Sequence, residues 1–330
     1  PHQPYTQQLQ SMGVEVLVGE KMARNCATWL KENAQYIDAV YLHRPHIAED
    51  FLSLLKDMNP RPKLIYFGHD LHFLREEREY AVTGDDTHRV AAEDWKQREL
   101  AVFKNFDKIY YPSQVEVDLV AEIAPEVDAS AIPLYLMESS EIEPYIWQDR
   151  ADILFVGGFN HSPNVDAICW FVEEILPLVV AACPNIKLNV VGSKAPASVQ
   201  SLASKHVIIH GYLTDDELAE QYRRTRVVAV PLRFGAGVKG KVLEALQRGV
   251  PLVTTGIGAE GLPESDVVMN VKETAADFAQ ELIEIDRGCS ARLRKLDHYS
   301  AYIDRYFSKS RASEILCRDF GEPTIEREWL

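Results

Sequence analysis

The chain has 330 residues, of which 46% are hydrophobic and 26% are charged, and its formal net charge at pH 7 is −15. This length favours two domains, and this composition is typical of a folded globular protein, not of a disordered or membrane-spanning one. The acidic balance argues against nucleic acid as a partner and against strong electrostatic attraction to anionic lipid.

The cysteines and the apolar runs indicate the compartment. The five cysteines form no CxxC pair and are scattered through the chain as Cys26, Cys169, Cys183, Cys289 and Cys317. An odd, scattered set indicates free thiols and not a disulfide framework or a zinc site. No apolar run approaches the roughly 18–20 residues that cross a bilayer, and no signal peptide opens the sequence. We therefore predict a cytoplasmic protein with no transmembrane segment, and leave open a peripheral contact with a membrane.

Short β-rich runs alternate with helical patterns along the whole chain. The first set of predicted strands is 14–19, 38–43, 63–69, 108–113 and 131–136. The second set is 153–158, 186–192, 207–211, 226–232, 251–256 and 267–271. Most runs are continuously apolar, as in parallel strands buried on both faces, and segment 165–179 has the spacing of an amphipathic helix. Two such sets predict two Rossmann-like α/β domains with parallel sheets.

The polar segment 141–150 has neither a helical nor a strand period, which predicts a linker. It would join an N-terminal domain (1–140) to a C-terminal domain (151–297), and residues 298–330 would form helices that pack across both. A Rossmann-like domain normally starts with a strand, a tight loop and a helix, whereas this chain opens with a polar stretch. We therefore expect that the N-terminal domain lacks its first strand–helix unit and that the chain is part of a larger polypeptide.

The segment PLRFGAGVKGKVLEAL (231–246) has the composition of a phosphate-binding loop that leads into a helix. Its glycines and lysines are Gly235, Gly237, Lys239, Gly240 and Lys241. Glycines at such a turn let backbone N–H groups approach an anion, and the helix start adds unpaired donors. The lysines add positive charge to an acidic chain. A tight turn with solvated lysines is the simpler alternative and explains less of the pattern.

The same segment satisfies most of the P-loop pattern. Four residues separate Gly235 from Gly240, and Lys241 follows. The next residue in a P-loop is a Ser or Thr that holds magnesium, and here it is Val242. A nucleoside triphosphatase is therefore not expected. The pattern favours a diphosphate site that uses lysines and a helix dipole in place of a metal.

Three motifs in order resemble the donor half of glycosyltransferase family 4, of GT-B fold. They are FVGGFNHSPNVDAICWFVEEILPLV (155–179), PLRFGAGVKGKVLEALQRGVPLVTT (231–255) and GAEGL (258–262). The similarity is to the bacterial branch that carries GAGVKGKxxEAL, and DLHFLREERE (70–79) resembles the same branch. The resemblance implies two Rossmann-like domains that face a cleft, with a nucleotide-sugar held mainly by the C-terminal domain.

The resemblance also implies roles for individual residues. Glu244 matches the second Glu of the family's Glu-x7-Glu motif and would bind the ribose. The loop from Gly235 to Gly240, with its two lysines, would hold the diphosphate. The residues implied near the base and the closing cleft are Gly211, Tyr212, Gly157 and Gly158.

Two positions depart from the family's pattern. The first Glu of Glu-x7-Glu is Ala236, so this part of the predicted donor loop offers no carboxylate to the sugar. The Arg and Lys that many members carry after the first strand of this domain are replaced by Gly158 and by the region 163–164. The residues expected to supply the missing charge are Arg233, Lys239 and Lys241.

The predicted mechanism needs no metal. Departure of a nucleoside diphosphate develops negative charge, which fixed cations and helix N–H groups stabilise without a proton donor. We assign that role to Lys239, Lys241 and the helix start. The acidic pairs 85–86 and 215–216 lie in loop-like or helix-starting contexts and form no DxD motif. No resident cofactor is expected, and the co-substrate would be a UDP- or GDP-linked sugar.

The acceptor site is predicted at the carboxyl ends of the N-terminal strands. Arg44 and His46 follow one strand, and His69, Asp70 and His72 follow the next. Asp70 or a neighbouring histidine, His72 among them, is the candidate base for the acceptor hydroxyl. In the alternative, Asp70 caps the next helix and the histidines bond to loop carbonyls. A metal site from His69, Asp70 and His72 is disfavoured by their tight spacing.

Smaller features and the choice of function complete the predictions. Ser113 and Glu116 have the spacing of a capping box, and the role of His161 is left open. The first-choice function is a glycosyltransferase that acts on a glycan or lipid-linked acceptor in bacterial surface polysaccharide synthesis. The alternatives are a non-catalytic GT-B module that binds nucleotide-sugar or glycan, and a sugar-nucleotide epimerase, whose acid and base we cannot place.

Overall fold

The computed structural model of the protein describes residues 6–137 and 145–321. The elements of the first range are α1 (Thr6–Ser11), α2 (Glu20–Glu32), β1 (Ala39–His43), α3 (Pro45–Lys56), β2 (Lys63–Phe67), α4 (His72–Thr83), α5 (Asp86–Phe103), β3 (Lys108–Tyr111), α6 (Gln114–Ile123) and β4 (Ala129–Ala131). A 3₁₀ turn, Ala34–Tyr36, precedes β1.

The elements of the second range begin with a 3₁₀ turn, Trp147–Asp149. They continue with β5 (Ala151–Val156), α7 (Ser162–Trp170), α8 (Leu176–Ala182), β6 (Leu188–Val191), α9 (Ala197–Gln200), β7 (Val207–Gly211), α10 (Asp215–Arg224), β8 (Thr225–Val230), α11 (Gly240–Gln247), β9 (Leu252–Thr254), α12 (Gly256–Ala259), α13 (Ser265–Val268), β10 (Asn270–Val271), α14 (Ala275–Asp286), α15 (Ser290–Leu293), α16 (Tyr299–Phe307) and α17 (Lys309–Phe320).

The first sheet contains four parallel strands in the described residues, in the order β1-β2-β3-β4. The central strands β2 and β3 are runs of apolar and aromatic residues, and their side chains are buried almost throughout. Strand β1 lies at the edge and is exposed at every second residue. Burial on both faces explains why the central strands carry no alternation of polar and apolar residues. We call the part of the chain built on this sheet the N-terminal domain.

Two strands predicted for this sheet differ from the structure. Residues 14–19 form no strand, and Val14, Leu17 and Val18 are exposed. Their apolar pattern therefore covers no sheet face in the described chain. The strand predicted at 131–136 is displaced, because pairing with β3 ends at Ala131. Pro133 follows within two residues and has no N–H to donate to a continued ladder.

The second sheet contains six parallel strands in the described residues, in the order β10-β9-β8-β5-β6-β7. The chain starts in the middle with β5, moves outward through β6 and β7, and then returns to the other side of β5 as β8. The order reverses between β5 and β8, where a crevice opens at the carboxyl ends of the strands. We call this part the C-terminal domain. The loops after β5 and after β8 both lie at this crevice.

The helix predicted over 165–179 is confirmed, as α7, a π-helical turn at Phe171–Ile175 and α8. Its apolar face, with Ile168, Phe171 and Ile175, is fully buried in the core of the C-terminal domain. Among the described helices, none combines the length and the apolar composition needed to cross a bilayer. All five cysteines are free, as predicted.

The last two helices join different cores. Tyr299, Tyr302 and Ile303 of α16 are buried in the core of the C-terminal domain. By contrast, α17 packs Ala312 and Ile315 onto the first sheet, against a cluster that contains Phe67 and Tyr110. Residues 141–144 of the predicted linker lie outside the described residues.

Candidate functional site

A cavity of about 290 Å³ lies between the carboxyl ends of the two sheets. From the N-terminal domain its lining includes Arg44, His69, Asp70, His72, Arg75 and Tyr135. From the C-terminal domain it includes His161, Pro163, Asn164 and most of the loop 235–241, which we call the phosphate loop. The cavity is therefore the cleft that the sequence predicts, and it brings the donor and acceptor candidates face to face.

Glycines shape the phosphate loop for two separate reasons. Gly235 and Gly237 have φ of 135° and 75°, which residues with a Cβ rarely adopt. A Cβ on Gly237 would also lie 2.7 Å from the carbonyl oxygen of His69, and one on Gly240 would lie 2.7 Å from the ring of Tyr135. The loop is thus glycine-rich both for its backbone conformation and because the N-terminal domain packs directly against it.

Lys241 lies in the first turn of α11 and has a neutral hydrogen-bond partner. Its Nζ donates to Asn164 Oδ1 at 2.5 Å and lies 4.8 Å from the centre of the Phe155 ring. Burial, aided by the charge of Lys239, lowers the pKa of Lys241 to about 7. A Cβ on Gly157 would lie 2.9 Å from this Nζ, so that glycine makes room for the ammonium. The site holds a desolvated cation that an anion would stabilise.

Lys239 precedes α11 and also lines the cleft. Its Nζ donates to the carbonyl oxygen of Gly237 and lies 3.9 Å from Glu260 Oε1. Burial lowers the pKa of Lys239 to about 8, although Glu260 and Glu116 raise it. The two lysines bring two buried ammonium groups to the start of α11, an arrangement that suits an anion.

The other donor residues surround this loop at different distances. Gly157 and Gly158 follow β5, and the Asn164 amide donates to the Gly158 carbonyl at 2.7 Å. Gly211 lines a separate open hollow of about 530 Å³, and the adjacent Tyr212 is exposed. One turn into α11, the Glu244 carboxylate accepts a hydrogen bond from Tyr222 Oη at 3.2 Å. Burial raises the pKa of Glu244.

Arg233 lies elsewhere than predicted. Its guanidinium makes two hydrogen bonds to the carboxylate of Asp166 and stacks 5.8 Å from the centre of the Trp170 ring. The pair neutralises its charge, and Arg233 is not one of the described residues that line the cleft. The replacement charge in the cleft therefore comes from Lys239 and Lys241.

On the acceptor side, Arg44 and His69 reach the cavity and His46 does not. Arg44 lines the cavity and has φ of 67°, a strained value for a residue with a Cβ. His69 Nε2 lies 3.1 Å from Nδ1 of His43, and burial lowers the pKa of both rings. His46 is exposed on α3. Sequence reasoning did not select His43, although it ends the strand that places Arg44.

Asp70 does not cap α4, which corrects the simpler alternative for this residue. Its Oδ2 accepts from Arg75 at 2.8 Å, and its Oδ1 lies 3.7 Å from Nδ1 of His72. The cap is Glu99 of α5, which is fully buried and accepts from the backbone N–H groups of His72 and Phe73 at 3.0 and 3.2 Å. Asp70 is thereby free to face the cleft.

The capping-box prediction for Ser113 and Glu116 is wrong. The Ser113 hydroxyl donates to the Glu116 carboxylate, but Ser113 makes no side-chain bond to the backbone of α6. Both side chains turn into the contact between the domains, where a Cβ on Gly261 would lie 2.6 Å from that of Ser113. By contrast, Thr214 and Glu217 form a true capping box, so the pair 215–216 starts a helix as predicted, and Asp85 caps α5.

Among the described residues, one group could offer three ligands to a metal: Glu76, Glu79 and His88. His88 Nδ1 lies 2.7 Å from Glu76, and its Nε2 lies 3.6 Å from Glu79. The hydrogen bond to Glu76 raises the pKa of His88. Because each ring nitrogen faces a different carboxylate, the geometry is that of an imidazolium between two acids, and not of one metal centre.

The C-terminal domain is similar to known glycosyltransferases. Residues 150–286 match the family described as glycosyl transferases group 1. An uncharacterised 44.6 kDa protein in the cps region of Klebsiella pneumoniae is 30% identical over 178 residues, which are 50% of this chain and 45% of that protein. The chain thus spans about half the length of this curated relative.

Solved structures are similar over most of the chain. TarM from S. aureus, solved with fondaparinux, alpha-GlcNAc-glycerol and UDP, has a TM-score of 0.71 at 12% identity, over 90% of this chain and 58% of TarM. Sucrose-phosphate synthase from Thermosynechococcus elongatus has a TM-score of 0.67 at 16% identity, over 91% of this chain and 78% of that one. The chain has the predicted GT-B fold, and its residues 150–286 match glycosyl transferases group 1.

Proposed function

We propose that the protein is a family 4 glycosyltransferase that transfers a sugar from a UDP- or GDP-linked donor. The acceptor is a glycan or lipid-linked precursor in bacterial surface polysaccharide synthesis. The observation that carries the proposal is Lys241, a desolvated ammonium with a neutral partner at the start of α11, inside the cleft between two domains. The group 1 match and the cps-region relative support the same reading.

In this proposal the diphosphate of the donor lies on the phosphate loop. Lys239, Lys241 and the start of α11 surround it, and Gly157 makes room for the Lys241 ammonium beside it. The ribose extends toward Glu244 on the same helix, and the base lies toward Gly211 and Tyr212. The assignments of the ribose and the base follow the resemblance to family 4, and Gly211 lies at the end of β7, beyond the crevice between β5 and β8.

Transfer then uses charge stabilisation at the leaving group. As the bond from the sugar to phosphate breaks, negative charge grows on the diphosphate, where Lys241 and the α11 dipole are already oriented. We propose that no metal ion takes part, since the lysines occupy the position beside the phosphates. Ala236 provides no carboxylate to the donor sugar, so the sugar is positioned by other contacts.

Asp70 is the proposed base for the acceptor hydroxyl, with His72 beside it. Asp70 lines the cavity, and a Cβ on Gly237 would lie 3.1 Å from that of Asp70, so the carboxylate stands next to the phosphate loop. The hydrogen bond from Arg75 orients it, and His72 Nδ1 lies 3.7 Å away. The remaining acceptor contacts are assigned to Arg44 and His69.

The test combines binding and turnover. We expect UDP or GDP to raise the melting temperature, and one nucleotide-sugar of a panel to release nucleoside diphosphate faster when an acceptor is added. Lys241→Ala should strongly weaken both, whereas Lys205→Ala, a change at an exposed lysine of the same domain, should leave both unchanged. Nucleotide binding without turnover for any donor and acceptor would support the second candidate, a non-catalytic module, which the absence of a carboxylate at Ala236 favours.

A further inference from the structure

Arg78 of α4 reaches across the cleft and binds the C-terminal domain at two points. Its guanidinium donates to the carbonyl oxygen of Gly235 at 2.6 Å. It also makes two hydrogen bonds to Glu260, at 2.8 and 2.5 Å. The carboxylate is 12% exposed and the guanidinium 25%. This two-bond geometry is the strong, directional form of an arginine–carboxylate pair.

Both partners of Arg78 belong to the donor site. Gly235 is the first residue of the phosphate loop, and Glu260 lies 3.9 Å from the ammonium of Lys239. The C=O and N–H of one peptide unit point in opposite directions, so a bond to the Gly235 carbonyl also fixes the direction of the Ala236 N–H. One side chain of the N-terminal domain thus orients both the backbone of the loop and the carboxylate beside its lysine.

The neighbouring residue adds a second contact between the domains. Glu79 accepts a hydrogen bond from the Ser162 hydroxyl at 2.9 Å, at the start of α7. His88 lies 3.6 Å behind the same carboxylate. Two consecutive residues of α4 therefore bind two different loops of the C-terminal domain, and α4 can make both sets of bonds only when the domains are together.

We propose that Arg78 is a positioning residue, which holds the phosphate loop in its anion-binding shape only while the two domains are closed. The inference rests on the proposed function for its ligand, the diphosphate of a nucleotide-sugar. Arg78 is not among the described residues that line the cleft, so it acts through Gly235 and Glu260. The phosphate loop therefore becomes ordered when the domains close, and the complete binding site for a nucleotide-sugar exists only in the closed protein.

The first experiment measures the loop without any ligand. Hydrogen exchange of peptides that cover the phosphate loop should be about tenfold faster or more in Arg78→Ala and Arg78→Lys than in the unaltered protein. Lysine is a point charge and cannot bridge both partners. The matched control is Arg98→Ala, which breaks a two-bond pair with Glu49 inside the N-terminal domain. Equal exchange in Arg78→Ala and the unaltered protein would overturn the proposal.

The second experiment uses the charges around Lys239. The groups that face it are Glu260, Glu116, Asp70, Arg78 and Lys241. Arg78 lowers its pKa and Glu260 raises it. The alkaline limit of nucleotide binding should therefore move to higher pH in Arg78→Ala and to lower pH in Glu260→Gln. A structural role alone would not produce opposite shifts, and shifts in the same direction would contradict the proposal.

The two proposals can fail separately. If the unaltered protein binds no nucleotide, the proposed function fails, and hydrogen exchange still decides whether Arg78 orders the loop. If transfer is observed, Arg78→Ala should lower kcat by about tenfold or more, while Arg98→Ala should leave kcat unchanged. Transfer at an unchanged kcat in Arg78→Ala would leave the function standing and remove the positioning role.

Discussion

The two walls of the cleft differ in whether their charged side chains have charged partners. On the donor wall, Lys241 is desolvated, and its hydrogen-bond partner is a neutral amide. On the acceptor wall, Asp70 is bound by Arg75, and His72 lies between Asp70 and Glu99. On the donor wall, the ammonium of Lys241 has no charged partner among the described residues, whereas on the acceptor wall Asp70 and His72 face charged partners of their own domain. We expect changes on the donor wall to affect binding, and changes on the acceptor wall to affect turnover or stability.

Lys241→Ala should have the largest effect on nucleotide binding. A hydrogen bond between charged groups contributes about 1.5–3 kcal/mol, which corresponds to a loss of about 10- to 150-fold in affinity. Asp70→Asn should instead leave nucleotide affinity within about twofold and reduce kcat by about 100-fold or more, if Asp70 is the base. Calorimetry and initial rates on both variants separate the walls. A similar loss of nucleotide affinity in both variants would contradict the proposed difference between the donor wall and the acceptor wall.

Gly237→Ala should impair closure of the cleft. The added Cβ would meet the His69 carbonyl, in addition to the strain of a φ of 75°. Gly84→Ala is the matched control, because Gly84 has φ of 70° with nothing within 4 Å of a Cβ. Backbone strain alone costs about 1–2 kcal/mol in each variant. We expect only Gly237→Ala to lose nucleotide affinity, by about tenfold, since packing across the cleft is its added cost. Equal affinities would show that the cleft closes elsewhere.

Nucleotide affinity should fall as the pH rises from 7 to 9. In the free protein the pKa of Lys241 is about 7 and that of Lys239 about 8. A bound diphosphate raises both values, so binding takes up protons, and affinity drops through the range above the free values by at most about tenfold per pH unit for each proton. The terminal phosphate of the nucleotide loses its second proton at about pH 6 and is therefore largely ionised between pH 7 and 9. Calorimetry in buffers of different ionisation enthalpy measures the uptake, and a pH-independent affinity would show that both lysines are already charged.

Glu99→Ala should have the smallest effect on nucleotide binding and should lower stability instead. It removes the cap of α4, which we expect to lower the free energy of unfolding by about 1–3 kcal/mol. Glu93→Ala, on the exposed face of the same helix, is the control and should change it by less than about 0.5 kcal/mol. Denaturant unfolding compares the two. A normal stability in Glu99→Ala would indicate that another group, such as Asp70, takes over the cap.

The sequence was sufficient where the signal is continuous. The alternation of strands and helices predicted two parallel sheets, and the glycines of 231–246 predicted the tight loop that leads into α11, because neighbours in sequence are neighbours at one turn. It failed where partners are distant. Arg78 is separated from Gly235 by 157 residues, and Glu99 from the N–H of His72 by 27. No local period reveals such pairs, and none shows that residues 14–19 have no strand to pair with.

The course of the chain between the domains has a mechanical consequence. The N–H of Met137, at the end of the first described range, donates to the carbonyl of Phe307 at 2.8 Å, one residue before the chain passes from α16 to α17. Met137 and Phe307, at which the chain leaves the N-terminal and the C-terminal domain, therefore lie next to each other. Two adjacent chain connections do not by themselves fix the axis about which the domains rotate when the cleft closes. The direction of closure must then come from contacts at the far side of the cleft, where Arg78 meets Glu260.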